Sequence, residues 1–357
     1  MIETQRNCLK PFGEIKMKKS LIALSVLAAV AGTAQAQSSV TVYGVLDMAI
    51  QNENNGGKAG SKTALDAGEQ AGSRLGFKGT EDLGGGLKAI FALEMGILAD
   101  TGASQGGLSF GRQAWVGLEG DFGTVKMGRQ YTPQFYFFDA VDPFDLGFTS
   151  GSAGASTSTG GVFGFLSNSA WRVNNSVSYQ SKDISGFSAR ALYGFGEVAG
   201  NNSANRSVGI SGQYAAGPVY VGAVYYKQND VAGNGVKSVL VGGTYDFGVA
   251  KAAVGYSKDT SDTNVVDQKG YMIGVTVPVT TADTFLATAA RSKNNLFSTA
   301  NTSTQLAIGF THALSKRTNL YTSFSRNTND ANVNQAGLAA DKGLTDRLFN
   351  VGILHSF

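Results

Sequence analysis

Residues 131–170 read YTPQFYFFDAVDPFDLGFTSGSAGASTSTGGVFGFLSNSA and interrupt a chain that elsewhere alternates apolar and polar residues between turns. The stretch opens on aromatic residues and three acids, Asp139, Asp142 and Asp145, and then passes into Gly, Ser and Thr. Neither a period of 2 nor one of 3.6 runs through it. A structureless connection of this length is out of place inside a compact soluble domain. It fits a closed wall whose interior the loop enters, so the rest of the chain must read as wall.

The rest does read that way. Val40, Val42 and Leu46 share one face of an extended segment, and Thr41, Tyr43 and Asp47 share the other. Leu75 and Phe77 oppose Arg74 and Lys78. Leu87, Ala89, Phe91 and Leu93 oppose Lys88 and Glu94. In residues 172–178, Val173 and Val177 oppose Arg172, Asn174, Ser176 and Ser178. The same alternation groups Val219, Val221, Ala223 and Tyr225, then Val239, Val241 and Tyr245. It returns in Tyr271, Ile273, Val275 and Val277, and again in Leu306, Ile308 and Phe310. Alternation alone fits any half-buried strand.

The connections narrow the choice, because they alternate in length. Short turns fall at 81–86, 119–123, 183–186, 215–218, 246–248, 278–283 and 314–317. Long ones, rich in Asn, Gly, Ser and Asp, fall at 51–72, 96–111, 131–170, 196–206, 228–237, 258–269, 292–302 and 327–345. Seven short and eight long connections join sixteen strands. An even strand count with short turns at one end and long loops at the other is the pattern of an outer-membrane barrel. The expected fold is an all-β, 16-stranded antiparallel transmembrane β-barrel with an inward-folded third loop. In hydrocarbon every backbone N–H and C=O must be paired within the protein, which a closed sheet achieves. A barrel of about sixteen strands leaves an aqueous channel. Tyr214, Tyr225, Tyr245, Tyr256 and Phe310, near strand ends on the apolar phase, suit an interfacial girdle. A soluble sandwich leaves the alternation of turn lengths unexplained.

The first residues read as an export leader. A basic segment at Lys18 and Lys19, an apolar run from Leu21 to Val30 and the small-residue signal Ala34-Gln35-Ala36 predict cleavage after residue 36. Residues 1–16 read as an upstream extension of the start, with Met17 the expected initiator, and residues 37–357 as the barrel beginning at Gln37. The leader holds five bases (Arg6, Lys10, Lys16, Lys18, Lys19) and two acids (Glu3, Glu14), so the 29 basic and 26 acidic residues fall to 24 of each without it. The mature chain is formally neutral, and its charge gives no reason to expect nucleic acid as a partner. Cys8, the single cysteine, also lies in the leader, so stability must come from the hydrogen-bonded sheet rather than from disulfides. After it, no apolar run approaches the ~20 residues that a spanning helix needs.

At the other end, Phe349, Val351, Ile353 and Phe357 share a face. A last strand ending in an aromatic residue suits pairing with the first strand, and makes Phe357 the expected assembly signal for the barrel-assembly machinery.

Several segments carry a resemblance. They are SVTVYGVLD (39–47), SRLGFKGTEDLGGGLKAIFALE (73–94), GRQAWVGL (111–118), FGTVKMGRQYTP (122–133), RVNNSVSYQS (172–181) and the final VGILHSF. In these the chain resembles the trimeric general porins of Gram-negative β-proteobacteria. The resemblance implies a homotrimer in the outer membrane, each barrel narrowed by its third loop. It also implies passive diffusion of small hydrophilic solutes and ions. A cluster of three arginines lining the constriction of related porins maps to Arg74, Arg112 and Arg172. Arg74 and Arg172 lie on the polar phase of their strands, while Arg112 begins its strand. Asp139, Asp142 and Asp145 would face them from the third loop, and the expected preference is for anions. Lys78, Lys88 and Asp47 are further expected pore-lining residues; the phase of Thr124 and Lys126 puts Arg129 outside. The third loop lacks the short acidic Pro-Glu motif of some relatives and carries a long Gly/Ser/Thr stretch instead.

Little else suggests chemistry. His312 and His355 stand alone, with no Cys, second His or carboxylate pair at metal-ligand spacing. No catalytic residue, cofactor or metal is expected, and the Gly84-Gly85-Gly86 run lacks a phosphate-binding Lys. The competing reading is an outer-membrane barrel that acts as an adhesin, a receptor or an enzyme.

Overall fold

The computed structural model describes residues 39–147, 163–167 and 170–357. The expected leader, its cleavage site before Gln37 and most of the Gly/Ser/Thr stretch lie outside the described residues.

Sixteen antiparallel strands form the wall. They are β1 (Ser39–Asn54), β2 (Arg74–Gly84), β3 (Leu87–Leu98), β4 (Gln113–Gly120), β5 (Gly123–Tyr131), β6 (Arg172–Gln180), β7 (Phe187–Gly194) and β8 (Ser207–Ala216). The second half comprises β9 (Val219–Asn229), β10 (Gly235–Asp246), β11 (Lys251–Ser261), β12 (Asp267–Pro278), β13 (Asp283–Asn294), β14 (Thr302–Ala313), β15 (Thr318–Asn329) and β16 (Thr345–Ser356). β1 pairs with β2 from Ser39↔Thr80 to Val45↔Arg74, and with β16 from Val45↔Ser356 to Asn54↔Arg347. The sheet therefore has no free edge, as hydrocarbon requires. The upper half of β1 gains a further partner in loop 1, where Lys62–Ala67 runs antiparallel to it. The short turns are tight; Gly84, Gly85 and Gly86 all take positive φ (87°, 61° and 81°), which side chains resist.

The two faces follow the expected phase. Val42, Leu46, Val221, Val241, Ile273, Ile308 and Val351 are exposed on the outside, as lipid contact demands. Their inward neighbours, among them Leu240, Ser257, Met272 and Gln305, are buried. Strand β6 departs from the expectation. Val173 is buried inside with Leu192 and Tyr226, and Asn174 is exposed. The cause is a β-bulge: Gly128 opposes Ser176 but Gln130 opposes Val173, so β6 carries one extra residue, and Asn175 there takes φ 50°. One inserted residue exchanges the faces of everything beyond it.

Candidate functional site

The site is built by the third loop crossing the lumen. Its first helix, α1 (Pro133–Val141), starts on Pro133 at its first turn, where no backbone N–H is needed. Phe137, Phe138 and Val141 of α1 are buried with Phe165 and Leu166 of α2 (Phe163–Leu166) against Val224, Leu240, Ala253, Met272 and Ala290 of strands β9 to β13. Each large apolar side chain withdrawn from water contributes about 1.5–3 kcal/mol, so this cluster holds the loop to one wall. Polar ties add to it. Gln335 Nε2 donates to Gly164 O at 2.7 Å, Gln268 Nε2 to Phe165 O at 3.3 Å and Ser167 Oγ to Gln134 Oε1 at 3.1 Å.

The wall has glycines where the loop presses on it. A Cβ on Gly222 or Gly242 would lie 3.2 or 3.0 Å from the Phe137 ring. On Gly274 it would lie 2.6 Å from Pro143, and on Gly309 2.7 Å from Phe144. A Cβ on Gly270 would collide with Leu166. These glycines on four strands are seats, and they allow the loop to sit low against the wall.

Across the lumen, at the long-loop ends of β2 to β6, the three expected arginines converge. Tyr131, the last residue of β5, accepts hydrogen bonds at its hydroxyl from Arg112 Nη2 (3.0 Å) and Arg172 Nη2 (3.1 Å). The Arg172 guanidinium also lies 4.7 Å over the Tyr131 ring, a cation–π contact, and Tyr131 stacks on Phe135 of α1 at 3.8 Å. Arg112 Nε donates to Glu94 Oε1 at 2.7 Å, and the Tyr43 hydroxyl donates to Glu94 Oε2 at 2.9 Å. Arg74 Nη1 donates to Gly72 O at 3.0 Å, and Arg112 Nη1 occupies the space a Gly72 Cβ would need. The bulge in β6 removes Arg172 from the phase of Ser176. It joins the others from the strand end, where it pairs with Tyr131 and donates to that residue's hydroxyl.

The acids diverge. Asp139, on α1, is exposed, and loss of bulk water pushes its carboxyl up while Arg74 draws it down. Asp145 is exposed in a crowded lumen and is pushed up to about 6 by the loss of surrounding water and by Asp139. Asp142 is buried, and its Oδ1 accepts the Phe144 N–H at 3.0 Å, so it is set into the loop's own turn rather than facing the arginines. Asp47 also differs from expectation. It points inward but is buried, accepting Gln70 N–H (2.6 Å), Ala71 N–H (2.7 Å) and the Tyr321 hydroxyl. Loop 1 folds over it, so it anchors that loop instead of meeting the channel water. Lys78 and Lys88 face inward on the short-turn side, and Lys88 pairs with Glu119 at 3.7 Å. Arg129 reaches Gly111 O and Asn174, on the phase opposite Gln130. Tyr131 and Glu94 were not singled out by sequence. The signal for Glu94 was present: an acid on the inward phase of β3, one strand from Arg112.

A closed barrel with an apolar belt, a loop across its lumen and opposed charges on either side defines a water-filled channel of the outer membrane. Residues 23–332 match the family model described as Gram-negative porin, and the chain belongs to that family. It is 35% identical to outer membrane porin protein 32 of Delftia acidovorans over 85% of this chain and 88% of that one. An outer membrane porin protein of Bordetella pertussis is 32% identical over 96% of this chain and 100% of its own length. Among solved structures, the anion-selective porin from Comamonas acidovorans superposes with a TM-score of 0.76 at 30% identity, covering 90% of this chain and all of that one. A trimer form of OmpT from Vibrio cholerae, at 16% identity and a TM-score of 0.67, covers 90% of this chain and 99% of its own and shares the fold. The protein is a porin of the Gram-negative outer membrane, a passive channel.

Proposed function

We propose that the channel is an anion-preferring diffusion pore for small hydrophilic solutes, working as a homotrimer. The observation that carries this is the convergence of Arg112 and Arg172 on Tyr131, with Arg74 beside them and its charge acting on Asp139 of the third loop. Charge clusters at the narrowest point set selectivity, and low-dielectric walls focus their field. Glu94 offsets one arginine, but Arg190, Lys126 and Lys78 continue the positive wall below, none with a carboxylate within ion-pair distance among the described residues. The trimer form of the Vibrio cholerae protein supports the oligomer. Export through cleavage after Ala36, an initiator at Met17 and recognition of the last strand by the barrel-assembly machinery complete the reading. The test is the zero-current potential in a KCl gradient. Replacing Arg74 and Arg172 by Ser shifts it toward cation selectivity; an unchanged potential would remove the arginines from the constriction.

A further inference from the structure

Below the constriction the wall carries a second charged feature that the selectivity argument leaves unused. On the short-turn side, the inward faces of β1 to β6 line an open recess of about 530 Å³. Two ammonium groups enter it. Lys126 Nζ lies 4.5 Å over the Trp115 ring, and Lys78 Nζ lies 5.2 Å over the Tyr43 ring. Neither has a carboxylate within ion-pair distance among the described residues. Glu119, the acid in the recess, is engaged by Lys88 at 3.7 Å. The indole is held in turn, since Trp115 Nε1 donates to Gln113 Oε1 at 2.9 Å. Each lysine is therefore positioned by an aromatic face, which lowers the ordering cost of binding an anion. Thr41, Thr124 and Gln180 complete a lining that can donate and accept hydrogen bonds.

The depth separates this recess from the constriction. Lys126 is five residues below Tyr131 on β5 and Lys78 four below Arg74 on β2, about 13–17 Å along the strands at ~3.3 Å per residue. Arg190 is level with Gln180 and Thr124 in register; its Nε donates to Gln180 Oε1 at 3.3 Å, its Nη1 to Gln213 Oε1 at 3.1 Å, and its guanidinium reaches up to lie 4.4 Å over Tyr136.

Resting on the channel reading, we propose that this recess is a binding station for a small polyhydroxylated carboxylate of sugar-acid size. The carboxylate lies between Lys78 and Lys126, and the hydroxyls meet Thr41, Thr124 and Gln180. The volume exceeds what a chloride ion needs, and the hydroxyl and amide oxygens of the lining can accept hydrogen bonds, which a polyol donates and a bare anion does not. A solute released from the arginines would be held here before it leaves the short-turn mouth.

The test uses the assembled protein in planar bilayers, with gluconate as the probe and glucose as its neutral counterpart. Gluconate added on the short-turn side should produce transient current blocks that glucose does not. The Lys78→Gln/Lys126→Gln double variant should raise the half-blocking concentration about tenfold, as loss of two partly exposed ion pairs implies. A Lys78→Arg/Lys126→Arg variant should keep the block, which separates loss of charge from damage to the wall. Should the glutamine variant fail to assemble, gluconate applied to the wild-type channel from each side decides, with blocks at lower concentration from the short-turn side expected. Open steps without gluconate blocks, equal blocks by glucose, an unchanged glutamine variant or blocks with no sidedness would each overturn the station. Absence of steps from wild-type protein would overturn the channel reading as well.

Discussion

Gly44 and Phe357 close the barrel between them. Each donates its backbone N–H to the other's carbonyl, both at 3.1 Å, and the Phe357 ring fills the space where a Gly44 Cβ would stand. The first and last strands thus end in a reciprocal pair with an aromatic ring laid over a glycine, a device that pins register in a sheet. Deleting Phe357 should lower the assembly yield, read as the heat-modifiable band on a gel, while channels that do assemble keep their conductance. Gly44→Val should have the same effect, at about 1–3 kcal/mol for overpacking, because its Cβ would also meet Arg74 O at 2.6 Å. Normal yield from both variants would remove the closing role.

The glycine seats make a second prediction. Gly309→Val and Gly274→Val leave the outward face untouched but drive side chains into Phe144 and Pro143. The third loop should then ride off the wall into the lumen. Single-channel conductance should fall and open-channel noise should rise, with little change in assembly yield. Unchanged conductance would mean that the loop is positioned by the α1 cluster alone.

Strand number, turn lengths and the lipid-facing set were legible because period 2 and turn chemistry are local. So was the inward course of residues 131–147 and 163–167, from the failure of any period there. The bulge at Asn174 and Asn175 was not, because it rests on pairing across strands, and it misassigned Val173. Asp47 and Asp142 could be placed only on a face. Whether an inward carboxylate meets water or a folded-back loop depends on contacts 23 to 24 residues away in chain for Asp47. The hub at Tyr131 was hidden for the same reason, since its partners come from β6 and from the segment before β4.

Glu69 of loop 1 carries a pH dependence with an unusual sign. It is buried, Oε2 accepts from Asn350 Nδ2 at 3.3 Å, and burial followed by the nearby Asp66 and Asp47 pushes its carboxyl up to about 8 from an ordinary 4.5. The folded state then holds a proton that the unfolded chain releases above about 4.5, so this group's contribution is full in acid and is lost as pH rises toward 8. Glu69→Gln should leave stability unchanged near pH 4 and raise it at pH 8, by an amount on the order of a few kcal/mol. The temperature of the gel-mobility transition at the two pH values checks this. A stabilisation confined to acid would reverse the assignment.

The acids of the third loop give the last prediction, in which selectivity itself titrates. The arginines stay charged at any working pH. Asp145, pushed up to about 6, takes up a proton as pH falls through that range, and Asp139 is also raised above its ordinary value. Each proton bound removes a negative charge from the third loop, Asp139 lying within the field of Arg74, so the lumen becomes more positive. The chloride-to-potassium permeability ratio should therefore rise between about pH 7.5 and pH 5, with its midpoint near 6. High salt should flatten the effect, since the Debye length shrinks to about 3 Å at 1 M. Asp139→Asn/Asp145→Asn should hold the ratio at its acid value across the whole range. Asp142→Asn should leave the titration in place, because Asp142 is buried in the loop's turn. A ratio independent of pH in the wild-type channel would show that these carboxylates do not face the permeating ions.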